Sequence, residues 1–267
     1  MTKAAYIKVI ERAFIEGWEQ GRTEVPFTKE DLERIVASMN LKIRNIPDVI
    51  YTFRYRERLP PSIADLASEG TQWVIMPTGR AAYKFALASD SNIVPNPNLE
   101  AVKVPDSTPE AIRLYAQTDE QATLARVRYN RLIDLFLGVN AFSLQNHLRT
   151  TVVDVGQIEI DELYVGVGTH GTHFVIPVQA KGGNDRIGVV QAYQDLSFCA
   201  ERFPNLVPRA VAVFRISDEV VALLDLVVTG GGMDLFNVRI RDERHYRLVP
   251  GSQLTEDDLF RYRTGIG

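Results

Sequence analysis

The stretch QIEIDELYVGVGTHGTHFVIPVQAKGG, residues 157–183, decides how this chain is read. Two apolar runs flank a glycine-rich bend, a pattern that predicts two strands joined as a hairpin. Side chains on a strand alternate between faces. Gln157, Glu159 and Asp161 therefore share one face of the first strand, with Ile158, Ile160 and Tyr164 on the other. On the second strand Gln179 and Lys181 share a face, with Val178 and Ala180 opposite. If the polar faces align, Glu159, Asp161, Gln179 and Lys181 form one cluster, and the apolar reverse can pack on a helix. A strand buried in a core does not choose such residues for packing.

The set suits a hard divalent cation. Such an ion takes oxygen ligands and usually keeps several waters. The Asp161 carboxylate and the Gln179 amide oxygen supply two ligands, and Glu159 is an auxiliary third. A lysine beside the ion can orient or help deprotonate an attacking water, or stabilise charge developing on a phosphate. Simpler accounts stand beside this one. Asp161 and Lys181 could form a cross-strand ion pair worth about 0–1 kcal/mol if exposed, and Glu159 could be a solvated edge residue.

The pattern resembles the PD-(D/E)XK nuclease superfamily, with an acid on one strand and Glu-x-Lys on the next. Here QAK at 179–181 places glutamine where glutamate is usual, the Gln-x-Lys form of Mrr-type restriction endonucleases. The resemblance runs from the helix at 118 to the helix ending near 203, with its motifs confined to 159–194. It implies a restriction-endonuclease-like central mixed sheet flanked by helices, an α/β fold. It also implies catalytic Asp161, Gln179 and Lys181, a Mg²⁺ or Mn²⁺ cofactor, and an active-site glutamine on the following helix. Gln191 fits that glutamine better by spacing than Gln194 does.

Working outward, GVGTHG at 166–171 matches G-x-G-x-x-G, but strand-like THFVIPV follows where a dinucleotide site needs a helix. No nucleotide cofactor is expected. His170 and His173 belong to the same turn and are read as loop residues. GNDRIGVVQAYQDLSFCAERFP, 183–204, predicts a helix with Ile187, Val190, Leu196 and Cys199 inward. RAVAVFRI, EVVALLDLVV, LFNVRIR and HYRLVP predict four strands, with the turn TGGG among them, and TEDDLFRYR a last helix. Upstream, residues 118–138 predict one long helix closed by Gly138. Its Arg126, Arg128 and Arg131 could approach DNA, although solvation of a long helix explains them as well.

In the first half, 3–17 and 27–40 predict two helices, the second with Thr28 and Asp31 at capping-box spacing. DVIYTFRYRERLPP switches to period 2 and predicts a strand carrying Arg54, Arg56 and Arg58 on one face. With Lys42 and Arg44, residues 42–58 hold five basic residues against Asp48 and Glu57. Arginines at that spacing can bind successive phosphates or reach base edges, or can form an ordinary solvated face. TQWVIMP predicts a further strand, and 78–89 fits a short helix or a strand end. The α+β order also fits a small winged-helix-like DNA reader, by analogy. Prolines at 95, 97, 105 and 109 place a connecting segment at 93–112. Two domains are expected: 1–112 for DNA recognition and 113–267 for catalysis.

The chain has 267 residues, 45% hydrophobic and 24% charged, with a net charge of -4. A nonspecific cationic coat for nucleic acid is excluded, so DNA contacts must come from local basic patches. One cysteine, Cys199, excludes an intrachain disulfide framework and a cysteine-rich zinc site. No apolar run approaches the roughly 18 residues of a membrane span, and a cytoplasmic protein without membrane contact is expected. The functional expectation is a metal-dependent endodeoxyribonuclease of the restriction type, acting on double-stranded DNA. A homodimer is expected, since one such site cuts one strand. The alternatives are a repair or junction-resolving nuclease, or a DNA-binding regulator with an inactive nuclease core.

Overall fold

A computed structural model describes residues 2–89, 93–115, 120–152, 156–182, 187–231 and 234–264, with only the backbone for Thr2, Tyr55, Arg56, Gly156, Gln157, 230–231 and 234–236. In the first part come α1 (Thr2–Gly17), β1 (Glu24–Thr28), α2 (Lys29–Ser38), α3 (Ile46–Tyr51) and a π-helical turn (Thr52–Arg56). The short α4 (Pro61–Ala64) and the hairpin β2 (Thr71–Gly79) and β3 (Ala82–Ser89) follow. Then come β4 (Ala101–Pro105), α5 (Glu110–Tyr115), α6 (Glu120–Tyr129), α7 (Leu132–Leu137), β5 (Val139–Val152), β6 (Gly156–Gly168) and β7 (His173–Gly182). The chain continues with α8 (Val189–Arg202), β8 (Val207–Pro208), β9 (Ala210–Arg215), β10 (Val220–Gly231), β11 (Asp234–Val249) and α9 (Glu256–Thr264).

The fold is α/β, with a mixed sheet flanked by helices. Its strand order is β1-β3-β11-β10-β9-β7-β6-β5, with β2 on β3, β4 on β11 and β8 on β7. The β7–β9 and β4–β11 pairings are parallel, whereas β5–β6, β6–β7 and β9–β10 are antiparallel. On one face Leu124 and Val127 of α6 and Leu132 and Ile133 of α7 pack on Val178, Val211 and Leu223. On the other, Val189, Val190 and Ala192 of α8 pack with Ala212, Phe214 and Leu224. Each large apolar side chain removed from water this way contributes roughly 1.5–3 kcal/mol before ordering entropy is counted.

Residues 6–85 have a core of their own. Phe14 of α1 meets Trp73 and Phe85 edge-on, with ring centroids 5.0 and 5.1 Å apart. Val25, Leu32, Ile35, Val49 and Ile50 close it. Met76 of β2 and Ala86 and Ala88 of β3 instead pack in the cluster under α8, so this hairpin contributes to both cores. The Thr28–Asp31 capping box at the start of α2 is formed, each side chain bonding the other residue's backbone N–H.

Several expectations are corrected. The segment 48–58 is not a strand but α3 continued by the π-turn. Ile46, Val49, Ile50 and Phe53 recur at helical spacing, and all four are buried. That burial outweighs the period-2 appearance of the aromatics and arginines. Pro47 in the first turn and the Thr52 hydroxyl bonded to the Asp48 carbonyl at 2.7 Å also favour helix. Residues 78–89 resolve as turn and strand. The segment 93–112, expected as a connection, is built into the sheet, because β4 runs beside β11 from His245↔Ala101 to Val249↔Pro105.

The long helix of 118–138 is two helices. Buried Asn130 breaks it: its amide nitrogen donates to the Arg126 carbonyl and the Thr108 hydroxyl, each at 2.9 Å, and its oxygen accepts from Ser107 N–H. Arg131 then takes a left-handed conformation with φ of 51°. Residues 118 and 119 lie outside the described residues, as do 183–186 of the next expected helix, whose described part begins at Val189. The strands β1, β5 and the two-residue β8 were not anticipated; the middle of β5 is largely exposed. The runs LFNVRIR and HYRLVP belong to the single strand β11. At the turn TGGG, Gly232 lies outside the described residues.

Candidate metal centre and cleft

The antiparallel pairing of β6 with β7 is regular from Val167↔His173 to Glu162↔Val178 and goes no further. Beyond it, β7 runs beside β9, with Gln179↔Ala212 and Lys181↔Phe214. Side chains bridge the gap that opens between β6 and β7. The Ala180 N–H donates to Asp161 Oδ2 at 2.9 Å, and the Gln179 amide nitrogen donates to the Glu159 carbonyl at 2.8 Å. Two of the expected site residues thus replace ladder hydrogen bonds at the point where the strands part.

Asp161, Gln179, Lys181 and Glu159 line one cleft of about 1130 Å³, as do Gln191 and Gln194 of α8 and Glu120 at the start of α6. Lys181 Nζ stands 3.6 Å from Glu120 Oε1. Asp161 is 8% exposed. Burial pushes its carboxyl above the usual range, and the Glu159 charge adds to this, while the Ala180 N–H and Lys181 oppose it. Gln179 is buried, and its amide nitrogen also donates to the buried carboxylate of Asp195 on α8. That fixes the amide's orientation and leaves its oxygen as the atom able to face a cation.

Nothing in the residue pattern points to His147 on β5. One ligand atom from each of His147, Glu159 and Asp161 lies within 4.8 Å of the others. Two carboxylates, an imidazole and an amide oxygen are a donor set that fits a divalent cation. Glu159 is exposed and also 3.0 Å from the guanidinium of Arg149, another residue of the cleft wall. Asp195 and Glu120 were likewise missed. The apolar residues expected to share the reverse face are divided: Tyr164 packs with α6 and α7, while Ile158 and Ile160 pack with Phe198 and Cys199 of α8. Cys199 is buried, and burial pushes its thiol up, as expected of a core residue.

Further lining comes from the first part of the chain: Asn45, Asp48, Tyr51 and Arg54 around α3, and Arg80 at the β2–β3 turn. Among the expected DNA-binding residues with described side chains, Arg54 lines this cleft. Lys42, Arg44 and Arg58 are exposed, and the side chain of Arg56 lies outside the described residues. A shared arginine face on a strand is therefore not formed. The arginines of 118–137 are held within the protein. Arg128 pairs with fully buried Glu162 at 2.8 Å, Arg131 pairs with Asp134, and Arg126 bonds the Asp218 carbonyl.

GVGTHG is the end of β6 and the turn that leads into β7, with Gly171 at φ of 79° and His170 and His173 exposed. No helix among the described residues is long and apolar enough to cross a membrane. Comparison of the chain with family models, with curated proteins and with solved structures gives no match.

Proposed function

We propose that this chain is a metal-dependent endonuclease acting on double-stranded DNA, of the restriction type. The observation that carries the reading is the shared cleft. Asp161, Glu159, Gln179 and Lys181 line it together with Arg54 and Arg80. Carboxylates alone would suit many cations; a lysine among them and arginines in the same cleft suit a phosphate backbone.

The order α1-β1-α2-α3, then the π-turn, the short α4 and β2-β3, with β1 and β2 both on β3, supports a winged-helix reading. In that reading α3 is the recognition helix and the β2–β3 turn is the wing, and both border the cleft with the acids. DNA held by this unit would lie against the catalytic wall. Asp161, Glu159 and the Gln179 oxygen would hold Mg²⁺ or Mn²⁺. Such an ion supplies a Lewis acid and a more acidic bound water. Lys181 stabilises charge on the phosphate, Glu120 and Asp195 position Lys181 and Gln179, and Gln191 borders the site. Cutting both strands takes two such sites, hence a homodimer.

A DNA-binding regulator with an inactive core is the second reading. It is favoured by the engagement of the Gln179 amide with Glu159 and Asp195, a role that needs no metal. Plasmid digestion separates the two. The nuclease reading expects supercoiled plasmid to be nicked or linearised with Mg²⁺ or Mn²⁺ and left intact with EDTA. Intact plasmid in both, with DNA still bound, supports the regulator.

A further inference from the structure

His147 sits between two registered pairs of β5 and β6, Asn146↔Glu162 and Leu148↔Ile160. It is one of only four non-glycine residues with positive φ among the described residues, at 52°. Its imidazole Nε2 stands 3.5 Å from Glu159 Oε1. The 4.8 Å that encloses the ligand atoms of His147, Glu159 and Asp161 is close to the span of donors around one ion, whose bonds are about 2.0–2.2 Å long. Asp161 has Oδ2 held by the Ala180 N–H, so the nine-tenths-buried carboxylate has its second oxygen left to face an ion.

We infer that His147 is a direct ligand of the cation held by Asp161 and Glu159, and that its nitrogen makes the centre a first-row transition-metal site rather than a Mg²⁺ site. Mg²⁺ demands oxygen donors and retains water, whereas imidazole suits first-row transition metals, with affinity rising along the series from Mn²⁺, the ion that gains least from the nitrogen and so the strictest probe. The inference rests on the reading of Asp161 and Glu159 as cation ligands. It does not need DNA cleavage.

Two simpler roles compete. His147 and Arg149 could both serve only to pair with Glu159. The positive φ could also be the only requirement at position 147. Asparagine and aspartate tolerate that conformation as histidine does, so substitution by either keeps the backbone.

The test is binding of Mn²⁺, read by the free-ion electron paramagnetic resonance signal, with Mg²⁺ as competitor and no DNA present. Thermal unfolding in EDTA checks that each variant is folded. The parent is expected to bind Mn²⁺ at least tenfold tighter than Mg²⁺. His147→Asn should lose about tenfold or more in Mn²⁺ affinity, and His147→Asp should restore binding with the preference moved toward Mg²⁺. The double variant Asp161→Asn, Glu159→Gln should not bind. Mn²⁺ binding no tighter than Mg²⁺ in the parent, an unchanged Mn²⁺ affinity in His147→Asn, or retained binding in the double variant would each overturn the inference. A parent that binds Mn²⁺ through His147 yet leaves plasmid intact in Mn²⁺ upholds it and overturns the nuclease reading instead.

Discussion

The amide nitrogen of Gln179 stands 3.0 and 3.2 Å from the two carboxylate oxygens of Asp195, which is 2% exposed. Burial holds the Asp195 carboxyl well above the usual carboxylate range. The nearby Asp161 charge raises it further, while the Gln179 amide and Lys181 oppose the rise. A carboxyl with a raised folded pKa stabilises the fold fully below its unfolded pKa of about 4. That contribution is lost as pH rises toward the folded value, because the unfolded chain then binds fewer protons. Asp195→Asn keeps an acceptor for Gln179 and removes the ionisation. Its metal-free stability should fall less between pH 5 and pH 8 than the parent's, as read by urea midpoints. Parallel profiles would show that Asp195 does not carry this dependence.

The Arg128–Glu162 pair joins α6 to β6 on the face away from the α8 cluster. Glu162 is fully buried and also accepts from the Ser143 hydroxyl at 2.6 Å. Removing the guanidinium leaves a buried carboxylate short of its cation. Arg128→Ala should cost about 1–3 kcal/mol, below the 3–5 kcal/mol of a wholly buried pair because Arg128 is 35% exposed. Denaturant unfolding measures the cost. A loss of DNA affinity with unchanged stability would assign this arginine to DNA instead.

Arg54 and Arg80 border the cleft from the first part of the chain. If each meets a phosphate, Arg54→Ala and Arg80→Ala should each weaken DNA binding and reduce its salt slope by about one. A base contact would instead cost roughly 1–3 kcal/mol of discrimination at one position of the site. Affinity against salt for a cognate and a scrambled duplex distinguishes these. If neither variant changes affinity or slope, DNA does not use this wall.

Much of this arrangement was legible in the sequence because residues two apart on a strand share a face, although Ile158 and Ile160 leave the face of Tyr164. Glu159, Asp161, Gln179 and Lys181 reach one cleft as the period of two requires. His147 and Asp195 were not legible for two different reasons. β5 is a polar edge strand with its middle exposed, so it lacks the apolar run that marks a strand. Asp195 looks like a solvated helix residue until the fold turns it toward Gln179. The helix at 46–56 was legible in Ile46, Val49, Ile50 and Phe53, but alternating aromatics and arginines carry a competing period. The break at Asn130 depends on bonds to Ser107 and Thr108, which no local pattern in 118–138 contains.

Asp258 anchors α9 to the sheet. Its side chain is 3% exposed and accepts from Lys103 Nζ of β4 at 2.8 Å, from the Thr255 N–H and hydroxyl, and from Arg261. The Lys103 bond first, then those from Thr255 and Arg261, hold its carboxyl well below the usual range. A lowered folded pKa stabilises the fold above the unfolded value and loses that stabilisation as pH falls through the folded one. Acid should therefore weaken the anchoring of α9 progressively in the parent as pH falls below about 4. Asp258→Asn should weaken the anchor at neutral pH and flatten the acid limb. Hydrogen exchange of the α9 amides reads both. Protection in the variant that matches the parent's at pH 7 would contradict the anchor.

Lys181 gives the most direct test of the central claim that the cluster at the parting of β6 and β7 cuts DNA. Cleavage of a bound duplex by the parent and by Lys181→Ala should be compared in Mn²⁺ and Mg²⁺, with binding measured in parallel in Ca²⁺. The expected result is loss of cleavage by the variant, with its fold and its DNA affinity kept. Equal cleavage by the two proteins would contradict the claim.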